Sequence, residues 1–230
     1  MTPKGAQTRA HLLDTALGLF RAQGYDATSM RDIAAAAGLS LGAAYHYFDS
    51  KEALVSAWYD RVQERHEAAT AELLPGIKGT GPRLRAILSA KLDLVLPEKR
   101  LLGALFRYAA DPEHPLGTFS PGSAPVRDRA VATFAAALDG AGLAPDQAAL
   151  LGRGLWLAHL GLLLYALHDR SEGAARTRGL AELLADLADK AVGLLYGPMG
   201  GAVLGGLLAR LGALKEIPDA APETPVQSGS

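Results

Sequence analysis

The feature that most constrains this chain is Gly38, which stands between two short stretches with helix-forming patterns. A residue just past a helix end often needs a positive φ, and glycine adopts one without steric cost. Ser29 and Asp32 have the spacing of a capping box, so the first helix is expected to begin at Thr28 or Ser29. The buried stripe of this helix is predicted to be Met30, Ile33, Ala34 and Ala37.

A second short helix is predicted from about Leu41 to Phe48, with Ser40 as its cap. Its inward face carries only Ala44 and Phe48. Small side chains at Ala34 and Ala44 allow two helix axes to cross closely, as in a helix-turn-helix whose second helix enters a major groove. The outward face of this recognition helix is formed by Leu41, Gly42, Ala43, Tyr45, His46 and Tyr47.

Two amphipathic helices are expected to flank this pair. The first is predicted over Arg9–Gln23, and residues 1–7 before it are expected to form a disordered or partly ordered arm. The second is capped by Asp49 or Ser50 and extends to about Leu74. Their inward apolar residues are Leu12, Leu13, Ala16, Leu19 and Phe20 in the first, and Leu54, Val55, Trp58 and Val62 in the second.

Three segments in this region occur in a specific order and at specific intervals. They read L-F-x-x-x-G-Y from Leu19, T-S-M-R-D-I-A from Thr28, and Y-H-Y-F-D-S-K-E-A-L from Tyr45. In this order they resemble the N-terminal domain of the tetracycline-repressor (TetR) family over residues 8–66, about a quarter of the chain. The resemblance implies an all-α fold, with a three-helix helix-turn-helix DNA-binding domain followed by a larger helical ligand-binding and dimerisation domain.

The resemblance also implies roles for individual residues in DNA binding. Residues matched to phosphate or sugar contacts are Thr28, Tyr45, Tyr47 and Lys51. Residues matched to positions that face the bases are Leu41, Gly42, Ala43 and His46. If the helix starts at Thr28 or Ser29 and at Ser40 point at phosphates, their free amides add positive potential there. Because Leu41 and Ala43 stand where Arg, Lys or Thr are frequent, thymine-methyl contacts and backbone positioning are the expected means of readout.

Composition and charge limit the number of cores, the cellular compartment and the kind of nucleic-acid binding. The chain has 230 residues, 49% of them hydrophobic, which suffices for one large or two modest cores. It has no cysteine, and its polar N-terminus lacks the apolar run of a secretory signal, so a cytoplasmic protein is expected. A formal net charge of −1 argues against a broad nucleic-acid coat but is compatible with a local DNA-binding patch.

The rest of the chain shows helical periodicity throughout and no strand pattern. The breaker-rich segment Pro75–Pro82 marks a boundary or surface loop. We expect a DNA-binding domain over residues 1–66, an effector-binding and dimerisation domain over 67–215, and a disordered tail over 216–230. Further helices are predicted to start at Pro82 and to span Glu98–Ala110, Ala124–Leu138, Asp146–His168 and Arg176–Tyr196.

The last two of these helices are the predicted homodimer interface. Asp146–His168 is apolar nearly all round, so it must be central or must face a partner. Arg176–Tyr196 carries an apolar stripe that includes Leu184 and Leu195. The glycine-rich apolar stretch that begins at Pro198 is not expected to cross a membrane, because Pro198 and Arg210 interrupt it.

An effector cavity is predicted between the helices that carry most aromatic residues outside the DNA-binding part. Its candidate ligand-binding residues are Phe106, Tyr108, Phe134, Trp156 and His159. The breaker-rich loop Asp111–Pro125 either controls access to this cavity or is a plain surface excursion. For each aromatic residue alone, ordinary core packing is the competing interpretation.

Other chemistry has little support in the sequence. His159 and His168 have no cysteine or carboxylate at a usual metal-ligand spacing, so no metal site and no cofactor are expected. No nucleophile with a base, carboxylate pair or phosphate-binding loop stands out, so the chain is not expected to be an enzyme.

Two interpretations of function remain open. The first is a homodimeric, ligand-responsive regulator, acting as a repressor, whose partners are a double-stranded DNA operator and a small apolar effector. The second is a helical protein that binds a small molecule or a protein partner and does not use its helix-turn-helix for DNA. The weak basic balance of the sequence and the apolar recognition helix favour the second interpretation slightly.

Overall fold

A computed structural model describes residues 2–196 and is helical over most of that range, with no strand in it. The α-helices in the described part are α1 (Pro3–Gln23), α2 (Met30–Ala36), α3 (Leu41–Tyr47), α4 (Lys51–Leu73), α5 (Thr80–Val95), α6 (Lys99–Tyr108), α7 (Ala124–Ala135), α8 (Pro145–His168) and α9 (Ala175–Tyr196). The all-α prediction is confirmed. The Leu195 side chain, the glycine-rich stretch from Pro198 and the tail expected over 216–230 lie outside the described residues.

The first helix begins earlier than its sequence pattern predicted. Thr2 is the N-cap, and its hydroxyl accepts a hydrogen bond from the Gly5 amide at 3.2 Å. Pro3 occupies the first turn, where its missing N–H costs nothing. Residues 3–7 are therefore helical, and the expectation of an arm without regular structure is wrong for them. Thr2 as a capping residue and Pro3 after it are the sequence features that indicate this earlier start.

Helices α1 to α3 pack with the start of α4 into a small N-terminal unit. Ala44 of α3 is completely buried and Ala34 of α2 nearly so, which lets the two short helices cross closely. Phe48 and Trp58 complete the core and are each 3% exposed. The predicted inward faces of the helix-turn-helix are confirmed.

Helix α4 continues without a break from the N-terminal unit into the C-terminal bundle of α5 to α9. The predicted boundary between residues 66 and 67 falls inside this helix, so the two units share it, and the boundary itself stays a prediction. Within the bundle, α5 packs against α9 and α7 against α8. Gly152 permits the close approach of α7 and α8, since a Cβ there would lie 2.6 Å from the Cβ of Ala135.

The two units are also tied through α6. Arg21 of α1 donates from Nε to both carboxylate oxygens of Glu98, at 2.8 and 2.9 Å, just before α6. At the other end of α6, Arg107 donates to both carboxylate oxygens of Asp26. Ion pairs this close to solvent each contribute little stability. They join α1 and the turn after it to the two ends of α6.

Helix α8 is the one helix in the described range that is long and apolar enough to cross a membrane, judged by length and composition alone. In the bundle it packs against α7, α6 and α9, and its remaining face is exposed at Leu157, Leu164 and Tyr165. Its apolar composition is accounted for by this central position together with an uncovered face.

Candidate DNA-reading surface and effector cavity

The two helices of the helix-turn-helix are each capped at their start by local hydrogen bonds. Gly38 has φ of +68°, as a helix end that turns back on itself requires. The Ser40 hydroxyl accepts from the Ala43 amide at 3.1 Å and caps α3. In α2, the Asp32 carboxylate accepts from the Ser29 amide at 2.8 Å, and the Ser29 hydroxyl accepts from the Asp32 amide at 3.2 Å. The predicted capping box is confirmed.

The outward face of α3 is available to a partner. Tyr45 is 47% exposed, and Gly42 and His46 are also exposed. Leu41, Ala43 and Tyr47 are half-buried. The helix contains no Lys or Arg, so any positive potential on this face comes from helix starts and from neighbouring elements. The geometry matches a recognition helix, and its base and phosphate contacts stay predictions.

Two side chains that were predicted to contact the DNA backbone already have hydrogen-bond partners within the protein. The Thr28 side chain is 1% exposed, and its hydroxyl donates to the Gly24 carbonyl at 2.7 Å. Lys51 donates to the Tyr25 carbonyl at 3.0 Å and lies 4.3 Å from the centre of the Tyr25 ring. The burial of Thr28 does not support a phosphate contact by its side chain, because the α1–α2 corner closes over it.

A cavity of about 550 Å³ lies between the two units. Its walls come from α4, α6, α8, the start of α7 and the segment between α6 and α7, with Arg9 of α1 also in the lining. Phe106 and Trp156 are part of the lining, as the sequence predicted. The cavity also reaches Ser50, the N-cap of α4, so it touches the DNA-reading unit directly.

Three predicted ligand-binding residues lie away from this lining. Phe134 is completely buried, and its ring centre lies 4.6 Å from that of His159, so both belong to the bundle core. The close approach of α7 and α8 turns them away from the cavity. Tyr108 instead stacks on His114 at 3.9 Å between ring centres. For these three, the competing interpretation of ordinary packing describes their contacts.

The loop predicted over Asp111–Pro125 is a wall of the cavity and not a plain surface excursion. Leu116 is 5% exposed, and the Gly117 backbone lies so close to the Asp111 carbonyl that a Cβ would be 2.3 Å from its oxygen. Arg127 of α7 donates to the Thr118 carbonyl at 3.2 Å and anchors the loop. Whether the loop controls access stays a prediction.

A buried polar cluster that the sequence pattern did not predict lies beside the cavity. Lys91 of α5 is fully buried and donates to Gln63 Oε1 at 2.8 Å, and Gln63 donates to Thr133 Oγ1 at 3.1 Å. His66 Nε2 lies 2.9 Å from the Ile87 carbonyl. The signal was present, because Lys91 follows Leu84 and Ile87 at helical spacing and so falls on the apolar stripe of α5.

Burial sets the electrostatics of this cluster. Desolvation lowers the pKa of Lys91 to about 7, and the charge of Glu67 only partly opposes this effect. Desolvation, with a contribution from the charge of Lys91, lowers the pKa of His66 to about 3. The pKa of His159 is lowered for the same reasons. Within residues 2–196, no group of three or more His, Asp or Glu side chains could hold a metal ion.

Two family models match the chain. Residues 12–58 match bacterial regulatory proteins of the tetR family, and residues 83–203, more than half of the chain, match a tetracyclin repressor-like C-terminal domain. The repressor KstR2 of Rhodococcus jostii (strain RHA1) is 55% identical over 47 residues, which are 20% of this chain and 23% of that protein. The regulator AcrR of Shigella flexneri is 37% identical over 99 residues, 41% of this chain and 44% of that one. The chain thus aligns with less than half the length of these curated relatives.

Solved structures share the fold over most of the described chain. A TetR-family regulator from Pectobacterium atrosepticum gives a TM-score of 0.64 at 24% identity, covering 84% of this chain and 97% of that one. Thermus thermophilus FadR, a TetR-family repressor in complex with lauroyl-CoA, gives 0.58 at 24% identity, covering 83% and 94%. With the two family models, these similarities show that this chain belongs to the TetR family of bacterial regulatory proteins.

Proposed function

We propose that the protein is a ligand-responsive, DNA-binding transcriptional regulator that acts as a repressor in the cytoplasm and is released from its operator by a small, largely apolar effector. The observation that carries this proposal is a single cavity whose lining includes both Trp156 of α8 and Ser50, the N-cap that follows the recognition helix. A molecule bound there contacts the DNA-reading unit and the bundle at once. We propose no catalytic activity for the protein.

Effector action requires only a difference in affinity between two states. A ligand that binds better to the arrangement of units unsuited to DNA lowers operator affinity by its differential binding free energy. The complex of FadR with lauroyl-CoA supports the proposal, since a relative of the same fold holds a ligand with a long apolar chain.

We further propose a homodimer formed through α8 and α9. Both helices expose large apolar side chains, which are Leu157, Leu164, Tyr165, Leu183, Leu187 and Leu194. A second copy that covers these faces places two recognition helices on half-sites about 34 Å apart, one turn of DNA. Leu184, which the sequence pattern included in the apolar stripe, is half-buried and packs on the core, so it does not report cleanly on the interface.

Operator binding is tested by a mobility-shift assay with the DNA that flanks the protein's own gene. We expect binding at nanomolar protein, and we expect Tyr45→Ala and Tyr47→Ala to weaken it for all DNA sequences alike while leaving its salt dependence unchanged, because contacts from neutral side chains to phosphates carry little base information and release no counterions. Failure to bind flanking DNA or random genomic fragments at low salt would instead favour the helical binding protein with an unused helix-turn-helix.

The dimer is tested by sedimentation at micromolar concentration. Leu187→Glu places a charge on the exposed face of α9 and should give helical monomers that no longer bind the operator. Leu73→Glu on α4 is a matched control, since Leu73 is 48% exposed but lies on neither proposed interface helix. A monomeric wild-type protein would contradict the proposed dimer.

A further inference from the structure

We propose that the cavity binds an amphipathic molecule with an apolar body and an anionic head group, and that Arg9 binds the head. The inference rests on the proposed effector role of this cavity and specifies the chemistry of its ligand. It follows from how apolar and charged side chains divide the lining between the two units.

One half of the lining, on the bundle side, is closed to solvent and apolar apart from the buried Arg127. Trp156 and Leu163 of α8 are 2% and 1% exposed, and Leu116 of the loop is 5% exposed. Phe106 and Leu160 extend this wall. An apolar body that fills this half removes hydrocarbon surface from water, which favours binding.

The other half is polar and open. It is formed by Arg9 of α1 and by residues at the start of α4, and it includes the exposed Asp49 and Ser56. Pro115 and Gly122, at the outer edge of the loop, are exposed as well. The cavity therefore opens toward solvent next to the DNA-reading unit, where a polar head can stay hydrated.

The sign of the head group follows from the charges at this open end. Asp60 is paired with Arg129, whose Nη1 donates to it at 2.7 Å, and Asp49 accepts from the Ser50 hydroxyl at 3.3 Å. Arg9 has no ion pair among residues 2–196, and its guanidinium lies 4.4 Å from the centre of the Phe48 ring. A cation held over an aromatic ring is favoured by the ring quadrupole, and a guanidinium has N–H donors at its edge that can form two parallel hydrogen bonds.

A fork of two N–H donors matches a carboxylate or a phosphate group. The first turn of α4 adds positive potential at the same end of the cavity, while Asp49 subtracts from it. We expect the head to be bound by Arg9 at the solvent boundary, where desolvation of an anion costs less than it does in the apolar half.

Binding in this orientation links the ligand directly to DNA reading. Ser50 caps α4 and follows Tyr47, the last residue of α3, by three positions. The head would touch α1 and the start of α4, while the body would touch α6 and α8. The ligand thus fixes the position of the recognition helix relative to the bundle.

Calorimetry with a matched set of probes tests the inference. Decanoate, decyl phosphate and 1-decanol share one chain and differ only in the head. A purely apolar cavity would favour decanol, because the anions lose hydration on entering it. We expect the wild-type protein to bind decanoate or decyl phosphate roughly tenfold more tightly than decanol, as a charge-assisted hydrogen bond predicts. The anion that binds more tightly identifies the head group as a carboxylate or a phosphate.

Variants assign the effect to Arg9. Arg9→Gln should abolish the preference for the anions while leaving decanol binding unchanged, and Arg9→Lys should retain part of it. Arg31→Gln removes a charge from an exposed position of the same unit outside the lining and should behave as wild type. Equal or tighter binding of decanol by the wild type, an anion preference that survives in Arg9→Gln, or no binding of any probe would overturn the inference.

A parallel mobility-shift assay separates this inference from the proposed function. If decanoate binds through Arg9 but does not release the operator, the ligand chemistry stands and the effector role fails. If the protein binds no operator at all, the DNA-binding proposal fails, and the calorimetric comparison still decides the role of Arg9.

Discussion

The DNA-reading unit and the C-terminal bundle are stabilised in different ways. In the first, the bonds that start each helix join residues three apart, as in Ser29 with Asp32 and Ser40 with Ala43. In the second, the buried polar contacts join distant segments, as when Gln63 accepts from Lys91 and donates to Thr133. The first unit can therefore lose one bond and keep its neighbours, whereas the bundle depends on side chains that several helices share.

The largest expected effect is on the bundle, at the apolar end of the cavity. Trp156 is 2% exposed and packs edge-on against Phe119, with ring centres 6.1 Å apart. Trp156→Ala should lower the free energy of unfolding by about 3–5 kcal/mol, because the neighbouring helices cannot collapse onto the space. Chemical denaturation measures this loss. A cost below about 1 kcal/mol would show that Trp156 serves the ligand and not the core.

This expectation changes how the ligand site should be tested. A Trp156→Ala variant that fails to respond to a ligand would not distinguish a lost contact from a lost fold. Trp156→Phe keeps most of the apolar volume and removes the pyrrole part of the indole with its N–H, so it is the appropriate variant for binding measurements. We expect it to fold and to bind decanol nearly as well as the wild type.

A smaller effect, with a defined pH dependence, is expected from Lys91. Folding lowers its pKa to about 7 from 10.5, so the unfolded chain binds more protons in that window and the free energy of unfolding rises with pH. Between pH 7 and about 9.5 the rise should be on the order of 3 kcal/mol. Lys91→Met should remove this rise and stabilise the protein most at pH 7.

The matched control for this measurement is Lys78→Met, since Lys78 is an exposed residue outside the buried cluster. Measurements should stop near pH 9.5, because burial raises the pKa of Tyr59 to about 12 and unfolding is favoured above the ordinary tyrosine pKa of about 10. A flat profile in the wild type between pH 7 and about 9.5 would mean that Lys91 keeps its proton in the fold.

The contrast between the units also decides what the sequence could predict. Helix starts and ends in the first unit follow from single residues such as Gly38, Ser29 and Ser40, so the fold and the recognition face could be predicted there. For the bundle, periodicity predicted the helices but not which faces meet. Phe134 and His159 were assigned to the cavity because both are aromatic, although the α7–α8 packing at Gly152 turns them into the core.

Two features of the cavity depend on contacts that no local pattern contains. In the sequence, Arg9 is an ordinary polar residue of an amphipathic helix. Only the folded structure, in which Arg9 packs on Phe48, places it at the cavity. Lys91 lies on an apolar stripe, but its partner Gln63 comes from another helix 28 positions earlier. Long-range pairing of this kind depends on helix crossing angles, which apolar periodicity does not specify.

The α7–α8 contact gives a prediction of intermediate size. Gly152→Ala would place a Cβ 2.6 Å from that of Ala135 and 3.0 Å from its Cα, so the two helices must separate. We expect a loss of about 1–3 kcal/mol in the free energy of unfolding, despite the better helix propensity of alanine.

Gly18→Ala provides the control in the other unit. Gly18 is an exposed residue within α1, and a Cβ there would meet nothing within 4 Å. This change should stabilise the protein by about 0.5–1 kcal/mol through helix propensity alone. Opposite signs for the two substitutions in thermal or chemical denaturation would confirm that the helices are close-packed at Gly152 and that α1 is open at Gly18; equal signs would contradict it.

A small effect on stability is also expected at Ser40, where the two roles of the DNA-reading unit can be separated. Its hydroxyl caps α3 and is exposed on the face predicted to meet phosphates. Ser40→Ala removes the cap and should cost about 1 kcal/mol of unfolding free energy. Ser40→Asp keeps a capping oxygen and should leave stability unchanged. Because the aspartate would bring a negative charge toward the DNA backbone, operator affinity should fall further in Ser40→Asp than in Ser40→Ala, and most at low salt. If the aspartate variant instead binds the operator as the wild type does, the start of α3 does not face phosphates and the recognition helix enters the groove in another orientation.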